Sequence, residues 1–423
     1  MTGQQRTPRE VIVIGAGIVG LSAAWSLQRA GVQVRVLERD RVAAGASAGN
    51  AGWISPGLSG PLVSREAVRA GLRGVWDPRA AVVVRPPAAL RNARFLAAFL
   101  RNSAPARMAT AVDALEPINR VAFDAFRSMQ DAGVGLELRE DPIVAAFQAP
   151  EAADAMALAL EQRSVTGRVQ VQRLDARAAR SLEPALAPGI RAGLLIGGQR
   201  WLEPLAATQA VASATAAAGA ELRFGVEVTG LHTDPGGVVV TSSVGRFRAD
   251  AVVVAAGAWA PRLLPSLGVR VPLAAGRGYR ITVRPRTPCT HPIYLPEARL
   301  ACTPAGRDLQ VTGIMELADP DGPPVSARAR TILRAVRACI PLASAGALAG
   351  WSGSRPLSAD GLPLIGPSAV PGVHLAIGHG MYGMTLGPAS GQLLARAIVT
   401  GRVPPELEPL DPQRSGRLPE QVR

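Results

Sequence analysis

The chain contains no lysine. All 46 of its basic residues are arginine, set against 32 acidic ones, for a formal net charge of +14. A balance that basic would ordinarily point to nucleic acid. The arginines are scattered and form no compact run, so they read as a solvated basic surface. No nucleic-acid partner is expected, and peripheral contact with an anionic membrane is the alternative. Cysteine is also scarce. Cys289, Cys302 and Cys339 are far apart and never form C-x-x-C. That excludes a zinc or iron–sulfur centre and a disulfide framework, so no metal is expected and the three read as buried thiols. Long apolar runs are missing too. The longest, Val11 to Ala24, spans 14 residues and is broken by three glycines, short of the roughly 20 that a spanning helix needs. No basic-then-apolar leader with a small-residue cleavage site is visible. The expected location is therefore cytoplasmic, with the inner face of the membrane as the one site of contact to consider.

What the chain does have is a 48% hydrophobic composition over 423 residues, enough for one large core or two moderate ones. Residues 10–40 read as strand, tight turn, helix, strand. "EVIVIG" is a buried parallel strand, "IVGLSAAWSLQRAG" carries apolar residues at helical spacing, and "VQVRVLE" alternates as a second strand. Gly15, Gly17 and Gly20 form G-x-G-x-x-G at the turn, and Glu38 ends the second strand. Gly15 permits the turn, Gly17 lets the backbone approach a pyrophosphate, and Gly20 lets helix and strand pack closely. The helix N-terminus faces the phosphates and the Glu38 carboxylate accepts from ribose hydroxyls. This is a site for the ADP half of a dinucleotide, and by itself it does not separate FAD from NAD. The segment "RVAAGASAGNAGWISPG" that follows favours FAD, because it reads as a loop lining a flat ring and its ribityl chain rather than as further α/β alternation. Farther on, helices are predicted at 86–135, 151–162, 325–340 and 386–399, with strands at 142–150, 189–198, 251–257 and through 278–316. The expected fold is α/β: a Rossmann-like FAD-binding domain of residues 1–85, 200–270 and 348–402, interleaved with a mixed-sheet substrate domain of residues 86–199 and 271–347. Residues 403–423 are expected to form an irregular tail.

Four separated stretches, "SAGNAGWISPG", "ADAVVVAAGAWAP", "GRGYRIT" and "WSGSRPLSADGLPLIGP" with "GHGMYGMTLGPASGQLLA", resemble the flavoprotein family of amino-acid oxidases and dehydrogenases. Glycine oxidase and sarcosine oxidase share its fold, and the bacterial D-amino-acid dehydrogenases look most similar. The resemblance spans nearly the whole chain. It implies a non-covalent FAD held by Gly15, Gly17, Ile18, Val19, Gly20, Glu38, Arg39, Ser47, Asn50, Ala51 and Gly52. Val228, Ala256, Gly257 and Trp259 would join them from the middle of the chain, and Gly380, Met381, Gly383, Met384 and Thr385 from its end. It also implies oxidation of a C–N bond in an amino-acid or amine substrate by hydride transfer to flavin N5, with a quinone, another carrier or O2 as acceptor. Arg355 stands where glycine oxidase-like enzymes anchor the substrate carboxylate; the alternative is an ion pair with Asp360. Met381 replaces a second arginine of those enzymes. Tyr279 and Tyr294 are candidates for hydrogen bonds to substrate or for packing, and His379 for a flavin or substrate contact or a structural role. Trp53, if it faces the flavin, narrows the pocket. Sarcosine oxidase-like enzymes use a lysine to activate oxygen, and its absence here favours a carrier over O2. Two other readings stay open: an oxygen-using amine or amino-acid oxidase releasing peroxide, and, more remotely, an RNA-binding flavoprotein.

Overall fold

The computed structural model describes residues 7–76, 80, 82–163 and 169–414. Its N-terminal strand, Glu10–Ile14, has every residue from Val11 on buried. A strand buried on both faces belongs inside a parallel sheet, and this one lies third from one edge of six. The order is Gln33–Leu37 and Glu221–Arg223 on one side, and Ala251–Val254, Val373–Ile377 and Leu364–Pro367 on the other. All pairings are parallel except that of the last-named edge strand. The chain thus departs to opposite sides of the first strand, and the crevice at the carboxyl ends of such strands is where open α/β sheets bind ligands.

Helices Ile18–Arg29, Pro105–Asp131, Pro204–Ala217 and Gly383–Thr400 share one apolar core on one face of this sheet. A three-stranded meander, Val228–Asp234, Gly237–Ser242 and Gly245–Ala249, covers the other. The first and last helices cross almost backbone to backbone. A Cβ on Gly391 would stand 2.4 Å from the Ser22 carbonyl carbon.

A second, nine-stranded mixed sheet stands over the crevice. Its end nearest the crevice is built from Ala349–Ser358, Leu273–Val283, Asp308–Leu317 and Leu300–Ala305 in that order. Along Leu273–Val283 the side chains alternate. Tyr279, Ile281 and Val283 enter a core with helix Ser326–Cys339, which leaves Gly278, Arg280 and Thr282 for the opposite face.

Four expectations about layout need correction. Strand Ala349–Ser358, assigned above to the FAD-binding part, is hydrogen-bonded along Leu273–Thr282 in the second sheet. Val82–Val84 likewise pairs with that sheet. Helix Pro105–Asp131, assigned to the substrate part, buries Leu115, Ile118, Phe126 and Met129 in the nucleotide-side core. The described start of the tail is also not irregular. Pro405–Leu410 is a 3₁₀ helix whose Leu407 and Leu410 are fully buried. Apolar periodicity predicts the helix within 86–135 but carries no information on which of two cores it joins.

Candidate active site

The glycine turn behaves as its residue types require. Gly15 has φ +110°, and a Cβ there would lie 2.6 Å from the Ala255 carbonyl oxygen. Around Gly17 the nearest atom to such a Cβ is Ser47 Oγ at 3.2 Å, and Ser47 Oγ accepts the Ile18 N–H at 3.1 Å. The first turn of the helix therefore meets a hydroxyl from the following loop. The Glu38 carboxylate accepts from the Ala16 N–H at 2.8 Å and the Asp40 N–H at 2.9 Å, fixing the acid at the end of the second strand.

These residues line one cleft of about 580 Å³ between the two sheets. Gly15, Gly17, Ile18, Val19, Glu38, Arg39, Ser47 and Asn50 contribute from the N-terminal unit. Val228, Ala256, Gly257 and Trp259 join them, as do Arg355, His379, Gly380, Gly383 and Met384. The remaining nucleotide-site candidates hold the walls in place. Gly20 is the contact point of helix and turn. Ala51 O accepts from Thr303 Oγ1 at 2.6 Å, and Gly52 (φ +80°) lies against the Leu202 carbonyl. Met381 O accepts from Asn50 Nδ2 at 3.1 Å, and Thr385 Oγ1 donates to Trp53 O at 3.0 Å. Two side chains, Asn50 and Thr385, thus join segments more than 330 residues apart in sequence. Trp53 is tied down by its indole N–H to Thr303 Oγ1 at 3.0 Å and packs edge-on against Tyr294, with ring centroids 6.0 Å apart. Neither ring lines the cleft.

Arg355 differs from the other arginines of the site. Its guanidinium lies over Gly278, where a Cβ would come within 2.3 Å of its central carbon. No carboxylate pairs with it among the described residues. Asp360, its alternative partner, is held instead by Arg414 through two hydrogen bonds of 2.8 and 3.1 Å. Burial without a counter-charge lowers its pKa to about 10. An unpaired guanidinium at a cleft wall has the geometry to accept a carboxylate.

Two other candidates have polar atoms already paired with neighbouring side chains. Tyr279 does not line the cleft. Its hydroxyl donates to Glu316 Oε2 at 2.9 Å on the far face of the sheet, where Arg328 also pairs with Glu316. His379 Nε2 stands 2.9 Å from Ser390 Oγ, whose own proton goes to Leu386 O. The imidazole must therefore donate through Nε2, and burial lowers its pKa to about 3. It is a neutral ring that positions the last helix rather than a proton carrier. Tyr294 packs on Trp53 and burial raises its pKa.

Sequence reasoning passed over two contributors, Arg277 and Asp321. Arg277 is buried at the cleft wall and donates from Nη2 to Asp319 O at 2.9 Å. Asp321 accepts from the Trp259 indole at 2.8 Å and pairs with Arg262. Arg39 lies 4.6 Å over the Trp259 ring, beside Asp321 at 3.4 Å. The segment around Asp319–Asp321 thereby straps the second sheet to the mouth of the crevice. Nothing in "ADPDGPP" marks it as more than a turn.

A doubly wound sheet with a glycine turn, an acid at the end of its second strand and a second sheet roofing the crevice defines a two-domain dinucleotide-dependent enzyme. The FAD dependent oxidoreductase family model matches residues 10–397. The chain belongs to that family, and FAD is its cofactor. It is 32% identical over 414 residues to a D-amino acid dehydrogenase of Cereibacter sphaeroides, covering 95% of this chain and 94% of that one. A D-amino acid dehydrogenase of Methylobacterium nodulans is 30% identical over 407 residues, 93% and 96% of the two chains. Among solved structures, glycine oxidase from Geobacillus kaustophilus superposes with a TM-score of 0.74 at 23% identity, over 97% of this chain and 99% of that one. Iminodiacetate oxidase from Chelativorans sp. BNC1 gives 0.72 at 23%, over 95% and 98%. These two likenesses establish a shared fold.

Proposed function

We propose that this enzyme is an amino-acid dehydrogenase that oxidises the C–N bond of a D-amino acid, or a related secondary amine, to an imine that hydrolyses to a keto acid. The observation that carries the reading is Arg355, a guanidinium without a carboxylate partner at the wall of the cleft. Full-length relatives named D-amino acid dehydrogenase support the substrate class. The pyrophosphate would lie on the Gly15–Gly20 turn, with Ser47 nearby and the ribose on Glu38. Bound flavin supplies the hydride acceptor. Arg355 orients the substrate through its carboxylate, and the free N–H groups opening helix Gly383–Thr400 present positive charge toward the cleft. Non-covalent binding fits the side chains present. All three cysteines are buried and free, away from the cleft, and the His379 ring is hydrogen-bonded to Ser390.

The absence of lysine supports delivery of electrons to a quinone or similar carrier rather than to oxygen. Under air, turnover should reduce a quinone analogue with little peroxide. Peroxide released in proportion to substrate would instead establish an oxidase.

Among the described residues no helix is long and apolar enough to cross a membrane. We place the membrane contact on helices Arg65–Trp76, Pro86–Arg91 and Ala93–Asn102. They leave Leu72, Leu90 and Leu100 exposed by 63%, 80% and 54%, among the exposed Arg65, Arg69, Arg73, Arg91, Arg94 and Arg101. Arginine around exposed leucine suits an anionic bilayer. The protein should sediment with vesicles containing anionic lipid and not with neutral ones, and Leu90→Ser with Arg94→Ser should abolish this. Equal sedimentation with both lipids would remove the assignment.

A further inference from the structure

The strap from Asp319 to Val325 is fastened by two unlike sets of contacts. Toward the second sheet its partners are buried: Arg277, Tyr279 and Ser354 are 4%, 3% and 2% exposed. Arg277 Nη2 donates to Asp319 O at 2.9 Å and to Pro320 O at 3.3 Å. Ser354 Oγ donates to Pro320 O at 3.3 Å, and the Val325 N–H donates to Tyr279 Oη at 3.2 Å. Toward the nucleotide unit the contacts are ion pairs in solvent. Arg262 pairs with Asp319 at 3.1 Å and also with Asp321, and Arg39 approaches Asp321 at 3.4 Å. These four side chains are 39% to 50% exposed. The Trp259 indole adds one hydrogen bond to Asp321 at 2.8 Å.

No apolar core backs the second attachment, since no residue from Ala318 to Ala327 is buried. Exposed ion pairs are weak and screened by salt, whereas hydrogen bonds from buried donors are costly to break. The strap is therefore fixed firmly to the sheet and loosely to the nucleotide unit. What it spans is the cleft itself. Pro320, Asp321, Gly322 and Pro324 line the cleft together with Glu38 and Arg39. Arg39 follows the ribose-binding acid and lies over the Trp259 ring, so the loose attachment falls at the adenosine end. Segments held by few buried contacts are the ones that open locally.

We propose that residues 319–325 form a latch over the adenosine end of the FAD site, hinged on Arg277 and Tyr279 and closed by Asp321, and that its opening sets the rate at which FAD enters and leaves. Asp321 is the closing residue because Arg39, Arg262 and Trp259 all converge on it. The latch acts on the cofactor and needs no particular substrate, so its failure leaves the amino-acid reading untouched. Its sign separates it from simple charge attraction. The pyrophosphate of FAD is negative, so a carboxylate in the cleft repels it. If Asp321 acted through its field alone, removing its charge should slow FAD release. Because it closes the latch, the same change should speed release.

The test follows FAD release from the holoenzyme as the flavin absorbance retained after timed ultrafiltration. It is run at salt concentrations of about 0.02 M and about 0.5 M, between which the screening length falls from roughly 20 Å to roughly 4 Å. The wild type should release FAD roughly five- to tenfold faster at the higher salt, the range expected when two or three exposed charge contacts are lost together. Asp321→Asn should release it about that fast already at low salt and lose most of the salt dependence. Adding Arg262→Gln to Asp321→Asn should accelerate release no further. Asp321 and Arg262 are about half exposed, so neither variant disturbs a core. Glu161→Gln is the control. It removes an equally exposed carboxylate, paired with Arg173 and outside the cleft lining, and should release FAD as the wild type does. Slower or unchanged release in Asp321→Asn, or a salt effect as large as that of the wild type, overturns the latch.

Discussion

Arg355→Met should lose substrate binding and gain stability. With the guanidinium removed, kcat/KM for an amino acid should fall roughly 100- to 1,000-fold, mostly through KM, as expected when one partner of a desolvated ion pair is deleted. The bound-flavin spectrum should not change. In the free enzyme the same group is a liability, because burial lowers its pKa to about 10 and no carboxylate offsets that. The arginine stays charged at neutral pH. Because its folded pKa lies below the unfolded one, the cost is present at every pH below about 10 and is relieved as pH rises through that value. Since the group is partly open to the cleft, the cost is on the order of 1–3 kcal/mol. Methionine preserves the aliphatic packing, so thermal denaturation at pH 7 should show a higher Tm. A lower Tm with unaltered KM would make Arg355 a structural residue.

Gly20→Ala should be among the most damaging single methyls in the nucleotide site. The added carbon would stand 2.1 Å from the Gly15 carbonyl oxygen and 3.1 Å from Ala255 Cβ. The first obstacle is backbone and the second a short side chain, so the helix must move off the sheet. A loss of about 2–4 kcal/mol in folding stability is expected, and since the same turn must hold pyrophosphate, the protein should purify largely without flavin. Gly31→Ala is the control. Gly31 has φ +84° but nothing within 4 Å of the added carbon, so only the left-handed backbone is penalised, by about 1–2 kcal/mol, and flavin content should be normal. Equal flavin content in the two variants would mean that close helix–sheet packing at Gly20 does not shape the site.

These two residues show how much of the site is legible in the sequence. Gly20 was readable because its requirement is local: a strand, a turn and a helix within twenty residues dictate a close approach. Glu38 and Ser47 were readable for the same reason. Arg355 was found through resemblance, since nothing local distinguishes it from 45 other arginines. Its lack of a partner depends on Arg414 taking Asp360, a contact 54 residues long. For Tyr279 and His379 the sequence leaves two roles open. A tyrosine in a strand has two faces available, and the Tyr279 hydroxyl is paired with Glu316, outside the cleft lining. His379 is satisfied by Ser390, one helix turn after Leu386, which no motif requires. The strap through Asp319 and Asp321 was invisible because its partners, Arg262 and Trp259, lie about sixty residues upstream.

Reduction of the bound flavin under anaerobic conditions tests the central claim most directly. Holoenzyme mixed with a panel of D-amino acids, their L-enantiomers and N-methylated analogues should lose its flavin absorbance with members of the D series, yielding ammonia or amine and the keto acid. Bleaching should be slowed in Arg355→Met. Flavin that stays oxidised with every amino acid and amine, while the protein is folded and fully loaded, would contradict the assignment of amino-acid C–N oxidation to this cleft.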